Sequence, residues 1–246
     1  MKILKIRNKN AMLELLQSGA SFEKISIAND LDRDNLTQQI ITAAEKRRIP
    51  IEKVPIQKMV RRRSGLTREV LVGYLIPENI HTLRDILDDL HEKDRYPFFL
   101  LINRVDFESN IGVIARTAFA AGINGLIFQG DEEKFLNEET VHISMGAIMR
   151  IPLVKMTIFE ALKEMQKNGI ATMCLQMGGE IYSDVDLSGP VAFVVGAEEK
   201  GVSDEILERC DKKISIPMRD GIDSLNVGVS TAIVLYEKIR QDGKVL

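Results

Sequence analysis

Apolar residues alternate between helical and strand-like spacing over the first 76 residues. Strand-like runs at Phe22–Ile27 and Val70–Leu75 enclose a helical stripe, and Asn10 stands where it could cap an earlier short helix. The stripe comprises Leu36, Ile40, Ile41 and Ala44. A further short helix is predicted around Ile56–Val60. These patterns predict a small α/β domain over residues 1–76.

Residues 77–95 are rich in acidic side chains, yet four apolar residues keep a helical spacing. They are Leu83, Ile86, Leu87 and Leu90. The pattern predicts a charged linker helix, so we place the domain boundary in this stretch.

From residue 96 to residue 246 the pattern becomes strand, helix, strand, helix, which is typical of a parallel sheet with crossover helices. The clear strand signals are Phe98–Ile102, Gly125–Phe128, Ile170–Leu175, Val191–Val195 and Ile214–Ile216. The last helix is predicted to bury Ala232, Leu235, Tyr236 and Ile239. Ligands of such sheets bind beyond the carboxyl ends of the strands, so the loops at those ends are the places to look for chemistry.

The net charge of −3 conceals an asymmetry between the two parts of the chain. Residues 1–76 hold 15 Lys and Arg against 8 Asp and Glu, a net of +7, and the remainder carries −10. Arg61, Arg62 and Arg63 form the densest basic cluster, with Arg47, Arg48 and Arg68 also available. Guanidinium groups suit phosphate, so the cluster is a candidate RNA contact, although a solvated basic loop would look the same.

Several classes of protein are not favoured by the composition. No apolar run approaches the length of a membrane span, and the N-terminus lacks the continuous apolar core of a signal peptide, which predicts a soluble cytoplasmic protein. Cys174 and Cys210, like the three histidines, lack metal-ligand spacing. We therefore expect two reduced, packed cysteines and no metal site.

Three loops at predicted strand ends carry unusual side chains. The first leads into a helix that holds Asn110 and Arg116, the second contains Glu198 between Gly196 and Gly201, and the third presents Ser224 and Asn226. Each has an ordinary reading: Asn and Ser are preferred helix caps, an arginine can sit on a solvated face, and two glycines can make a turn. The loops taken singly leave these alternatives open.

Taken together and in order, the three loops resemble the signature motifs of the SpoU (TrmH-like) family of RNA ribose 2′-O-methyltransferases in the SPOUT superfamily. The first motif is matched by residues 110–118 (NIGVIARTA), the second by 194–201 (VVGAEEKG), and the third by 216–218 (IPM) with 224–227 (SLNV). Residues 1–76 are more loosely similar to the ribosomal-protein-like substrate-binding domain of several members.

Two positions depart from the family pattern. A proline that commonly precedes the motif-one asparagine is absent from the segment Phe107-Glu108-Ser109, and Gly228 stands where the third motif often has serine. We expect the first change to be harmless, while the second bears on hydrogen bonds near the cofactor.

The resemblance implies a fold, a cofactor and an assembly. The C-terminal domain is expected to contain a deep trefoil knot that binds S-adenosylmethionine, and members are homodimers whose active sites draw on both subunits. The implied cofactor-binding residues are Gly196, Ile216, Met218, Leu225 and Val227.

The resemblance also implies roles for the polar residues. Arg116 would activate the ribose 2′-hydroxyl or, because arginine stays protonated in proteins, would bind phosphate and stabilise the developing alkoxide. Asn110 would orient the loop or the nucleotide, Glu198 would contact RNA or the opposing arginine, and Ser224 with Asn226 would position the ribose. The basic first domain favours large-subunit ribosomal RNA as substrate. Transfer RNA remains an alternative, as does a non-catalytic RNA-binding protein on the same fold.

Overall fold

The computed structural model describes residues 2–29, 34–55, 71–197, 201–219 and 224–243, and their contacts form two compact units. The first unit is Met1–Asn79 with Leu136–Arg150, and the second is Ile80–Phe135 with Ile151–Leu246. The described strands are β1 Leu4–Ile6, β2 Phe22–Ala28, β3 Ile51–Val54, β4 Leu71–Leu75, β5 Phe98–Asn103, β6 Gly125–Phe128, β7 Leu153–Lys155, β8 Ala171–Ile181, β9 Val191–Gly196 and β10 Lys212–Ser215. The described α-helices are α1 Lys9–Gln17, α2 Asn35–Lys46, α3 Leu83–Glu92, α4 Glu108–Ala120, α5 Glu132–Phe135, α6 Glu138–Ile143, α7 Ile158–Lys167, α8 Asp204–Leu207 and α9 Val227–Gln241.

The first unit is built on a four-stranded sheet in the order β1-β4-β2-β3. Strands β1 and β2 run antiparallel to β4, and β3 runs parallel to β2. Helix α1 begins two residues earlier than expected because Asn8, with an extended backbone, accepts hydrogen bonds through Oδ1 from the amides of Asn10 and Ala11. The prediction that Asn10 caps this helix is therefore wrong. The helix predicted around Ile56–Val60 lies outside the described residues.

Arg47 has a structural use in this unit. Its guanidinium donates hydrogen bonds to the backbone carbonyls of Leu16 at 3.1 Å, Gly19 at 2.8 Å and Ala20 at 2.8 Å, which closes the carboxyl end of α1. Arg47 is thus committed to the fold rather than free for phosphate.

Residues Leu136–Arg150, which sequence analysis assigned to the C-terminal domain, make their contacts with the first unit. Gly146 adopts a φ of +84°, and a Cβ added there would lie 3.0 Å from Cγ of Leu15. The Asn79 carboxamide donates to the carbonyl of Ile148 at 2.8 Å. This segment therefore leaves the C-terminal sheet and returns to the first unit before β7.

The second unit contains a six-stranded sheet, parallel throughout, in the order β10-β8-β9-β5-β6-β7. Strand β5 is buried along its whole length, as its apolar sequence predicts for a central parallel strand. One face of the sheet packs on α3, α7 and α8. The apolar stripe of α3, predicted as a linker helix, is buried in this core.

Two details of the second unit differ from the predictions. Strand β10 ends at Ser215, one residue before the predicted end at Ile216. In α9, Leu235 and Ile239 are buried as expected, but Tyr236 is 45% exposed. The buried stripe instead includes Val227, Thr231, Val234 and Lys238.

A large irregularity interrupts the pairing of β8 with β10. Lys213 pairs with Cys174, whereas the next residue, Ile214, pairs with Glu180. Residues 175–179 of β8 therefore have no counterpart on β10 and leave the ladder as a bulge. Gly179 allows the strands to close again, because a Cβ there would lie 2.5 Å from the carbonyl oxygen of Lys213.

The two cysteines are free and lie together. Cys174 is fully buried in the core, and Cys210 packs against the same core. A hydrogen bond with Cys210, and then burial, raise the pKa of Cys174 far above its ordinary value. Such a thiol stays protonated at neutral pH, which fits a packing role.

None of the described helices combines the length and the apolar character needed to cross a membrane.

Candidate active site

A cavity of about 190 Å³ opens in the second unit beyond the carboxyl ends of β9 and β10 and beside the bulge of β8. This is where a parallel sheet is expected to bind a ligand. The walls are formed by Leu175, Gln176, Met177, Val195, Gly196, Ala197, Gly201, Ile216, Met218, Ser224, Leu225, Val227 and Ser230. All five residues predicted to bind a cofactor, together with Ser224, therefore line one cavity.

Close backbone contact fixes the wall that follows β9. The amide of Gly201 donates to the carbonyl of Ala197 at 2.8 Å. A Cβ added to Gly196 would lie 2.4 Å from the carbonyl carbon of Gly201, so only glycine fits at position 196. Gly201 itself has a φ of +59°, which favours glycine a second time.

Asn226 connects the third motif to the first. Its Nδ2 donates to Oδ1 of Asn110 at 2.9 Å across 116 residues of sequence. Its own Oδ1 accepts from the amides of Gly228 at 2.9 Å and Val229 at 3.4 Å, which caps α9. One carboxamide therefore caps α9 and also contacts the first motif, so its capping role does not exclude a second one.

Asn110 is buried inside the first turn of α4 and does not cap that helix. The helix begins at Glu108, and its N-cap position, Phe107, makes no side-chain cap. Asn110 is 8% exposed, and its Oδ1 accepts the hydrogen bond from Asn226 at the start of α9. Its place at the junction of α4 and α9 fits the predicted orienting role.

Gly228, the departure from the family pattern, has a packing explanation. Helix α9 lies against α4, and a Cβ on Gly228 would approach Cγ1 of Val113 to 2.8 Å. Ser230, two residues later, lines the cavity instead. A hydroxyl therefore reaches the cavity from residue 230, while residue 228 packs against α4.

Arg116 lies on α4 six residues after Asn110, roughly 9 Å further along the helix axis. It is exposed and does not line the cavity. No other described residue forms an ion pair or hydrogen bond with its guanidinium. The side chain is therefore available to an external anion.

The other predicted residues lie outside the described ranges. Glu198 falls within residues 198–200, and Arg61, Arg62 and Arg63 fall within residues 56–70. Within the described ranges, no group of three or more His, Cys, Asp or Glu side chains could hold a metal ion.

Sequence reasoning missed the contribution of β8. Leu175, Gln176 and Met177 enter the cavity from the bulge, and none of them belongs to a signature motif. The glycine pair at 178–179, directly after a strand signal, could have indicated a bulge.

The chemistry of the lining fits S-adenosylmethionine. Apolar side chains such as Leu175, Val195 and Leu225 can cover the faces of an adenine ring. The glycines at 196 and 201 expose backbone groups, and Ser224 and Ser230 bring hydroxyls. Mostly apolar walls with a few polar groups are typical of a cofactor site.

Comparison with known families matches both parts of the chain. The model of the SpoU rRNA Methylase family matches residues 97–236. The model described as RNA 2′-O ribose methyltransferase substrate binding matches residues 9–62.

Curated relatives extend the likeness over nearly the whole chain. The TrmH family tRNA/rRNA methyltransferase YacO of Bacillus subtilis (strain 168) is 31% identical over 235 residues, covering 95% of this chain and 94% of the relative. The 23S rRNA (guanosine-2′-O-)-methyltransferase RlmB of Shewanella oneidensis is 36% identical over 158 residues, covering 63% of this chain and 64% of the relative.

Solved structures agree on the fold. The SpoU methyltransferase AviRb from Streptomyces viridochromogenes, in complex with AdoMet, aligns with a TM-score of 0.79 at 20% identity and covers 99% of this chain and 92% of that one. The A. aeolicus TrmH/SpoU tRNA modifying enzyme aligns with a TM-score of 0.54 at 32% identity and covers 65% of this chain and 84% of that one. The chain therefore belongs to the SpoU rRNA methylase family and is an RNA ribose 2′-O-methyltransferase that uses S-adenosylmethionine.

Proposed function

We propose that this enzyme methylates a ribose 2′-hydroxyl in large-subunit ribosomal RNA. The observation that carries the catalytic part is the single cavity lined by all five predicted cofactor residues, at the strand ends of a parallel sheet. The substrate is supported by the relative RlmB, named for 23S rRNA, and by the +7 charge of residues 1–76.

Gly196, Ile216, Met218, Leu225 and Val227 would hold S-adenosylmethionine through backbone groups and apolar contacts. Bound there, the cofactor supplies an electrophilic methyl group on a sulfonium. The protein must then align the ribose hydroxyl with that methyl, and such positioning can lower a barrier by roughly 7–11 kcal/mol.

Arg116 would act on the RNA rather than on the cofactor. An exposed guanidinium without a described partner can bind the phosphate beside the target ribose and stabilise the alkoxide as the 2′-hydroxyl loses its proton. Because arginine stays protonated, we assign the proton itself to another group or to water.

Asn110 and Asn226 would fix the distance between the RNA-facing helix and the cofactor wall. Their hydrogen bond ties α4, which carries Arg116, to the start of α9, whose neighbours Leu225 and Val227 line the cavity. Ser224 would then meet the ribose, and Glu198 would contact RNA or the arginine of the partner subunit. Arg61, Arg62 and Arg63 would bind the RNA backbone.

We further propose that two copies of the chain associate through α4 and α9. Val113, Val229 and Tyr236 are 42%, 48% and 45% exposed. Val229 and Tyr236 are seven residues apart and so share one face of α9, and Val113 packs beside Gly228 at its start. An apolar face on the two helices that carry the site fits the expected homodimer in the cytoplasm, with the trefoil knot in each C-terminal domain.

Transfer of a labelled methyl group to RNA from a strain that lacks this gene tests the substrate. After transfer, ribosomal and transfer RNA are separated and counted. Label in the large-subunit ribosomal fraction supports the proposal. Label confined to tRNA would overturn the substrate, and cofactor binding without label in any RNA would favour the non-catalytic alternative.

A further inference from the structure

The bulge of β8 adds side chains to the cavity that the family motifs do not contain. Residues 175–179 leave the β8–β10 ladder, and the first three of them line the cavity. Leu175 and Met177 are apolar, whereas Gln176 between them carries a carboxamide. This one polar group therefore enters an apolar wall.

The Gln176 carboxamide lies beside Gly201. Its Oε1 lies where a Cβ of residue 201 would approach to 2.6 Å, and its Nε2 would be 3.6 Å from that Cβ. The amide thus lies against the Gly201 backbone, in space that any other residue would fill. Within the described ranges no residue offers it a hydrogen bond. The half-buried carboxamide therefore has donor and acceptor groups available to a ligand in the cavity.

The lining of the cavity indicates which part of the cofactor can form a hydrogen bond with Gln176. None of the described side chains that line the cavity is charged, and most of them are apolar. Adenine has apolar faces and an edge on which a donor stands beside an acceptor. A carboxamide presents the complementary acceptor and donor, which is why Gln and Asn pair with adenine.

We propose that Gln176 recognises the adenine edge of S-adenosylmethionine, its Oε1 accepting a hydrogen bond from the 6-amino group and its Nε2 donating to the neighbouring ring nitrogen. The inference rests on the proposed cofactor site and makes the bulge the element that determines base specificity. Gly201 is required twice, for its positive φ and for the space that the carboxamide occupies.

The test is a double-mutant cycle between protein and ligand, measured by calorimetry on the full chain. S-adenosylhomocysteine and its purine analogue without the 6-amino group are each titrated into the wild type and Gln176→Met. We expect loss of the amino group to weaken binding to the wild type about five- to tenfold, and to Gln176→Met less than about twofold.

Two further variants keep the result interpretable. Met177→Leu changes the same bulge without a polar group and should retain the dependence on the 6-amino group. Gln176→Glu keeps acceptor oxygens and should retain it as well, even if Gln176→Met folds poorly. Equal loss of affinity in the wild type and Gln176→Met would overturn the inference alone, whereas a wild type that binds neither ligand would overturn the cofactor site with it.

Discussion

At the scale of single residues, Asn226 combines two functions that a substitution can separate. Its Oδ1 caps α9, and its Nδ2 binds Asn110. Aspartate keeps the capping oxygen and suits a helix N-terminus, but it replaces the donor by a second acceptor that faces Oδ1 of Asn110.

We predict that Asn226→Ala lowers both stability and activity, the stability by about 1 kcal/mol because the cap is lost. Asn226→Asp should keep the stability of the wild type and still lose methyl transfer. Denaturant unfolding and a methylation assay on the same preparations measure both effects. Full activity in Asn226→Asp would show that the contact with Asn110 is dispensable.

The motifs grouped five predicted cofactor residues that line one cavity, but they did not predict the contact between Asn226 and Asn110. The motifs put Gly196 and Ile216 at strand ends, which the parallel fold brings together, and Leu225 just before α9. The shared use of the Asn226 carboxamide depends on how α4 packs against α9, which no local pattern contains. A cap and a long-range contact also demand the same residue type, so the sequence alone could not separate them.

Among the helices and strands, α9 is anchored by an ion pair between Lys238 and Asp242, which the apolar spacing of its sequence does not indicate. The Lys238 side chain is 2% exposed, and its Nζ donates to Oδ1 of Asp242 at 2.6 Å and to the carbonyl of Gly189 at 2.7 Å. The ammonium also lies 5.9 Å from the ring centroid of Phe98. Lysine is seldom buried unless it is paired, and here the Asp242 carboxylate supplies the pair.

Removal of the ammonium takes the Lys238 ion pair away from the Asp242 carboxylate, which still accepts from the amide of Gly189. We predict that Lys238→Met lowers the free energy of unfolding by about 3 kcal/mol, because the largely buried carboxylate loses the ammonium that pairs with it. Lys238→Met with Asp242→Asn removes that charge and keeps an acceptor for the amide of Gly189, so it should recover much of the loss. Thermal and denaturant unfolding measure both, and a double variant as unstable as the single one would refute the explanation.

Errors in the predicted elements share a physical origin. The strand Ile170–Leu175 is predicted to end where the bulge begins, because Gln176 and the glycine pair at 178–179 interrupt the apolar run. Tyr236 was assigned to the core because its spacing fits a helical stripe. Periodicity identifies an apolar face, but it does not distinguish a core from an interface between chains.

The exposed apolar face of α4 and α9 bears on the assembly of the whole molecule. If the exposed face of α4 and α9 joins two copies, a charge within it should separate them. We predict that Tyr236→Glu combined with Val229→Glu converts a dimer into a monomer and abolishes methylation, as measured by light scattering after size-exclusion chromatography and by methyl transfer.

Phe159→Glu is the matched control, because Phe159 is another exposed apolar residue, 38% exposed on α7. It should leave the dimer intact. A monomeric wild type with full activity would contradict the proposed assembly.

The proposed mechanism separates two tasks, since the cavity would bind the cofactor and Arg116 would act at the ribose. The most direct test measures S-adenosylmethionine affinity by calorimetry and 2′-O-methylation by counting alkali-resistant dinucleotides, both for Arg116→Ala, with Arg116→Lys as the charge-preserving control. We predict that Arg116→Ala loses about 10²–10³-fold in turnover, as for removal of a group that stabilises an oxyanion, while the affinity stays within about twofold of the wild type. Arg116→Lys should recover part of the turnover. Methylation that survives in Arg116→Ala would contradict the role of Arg116 at the ribose. A cofactor affinity that falls together with turnover would contradict the separation of that role from cofactor binding.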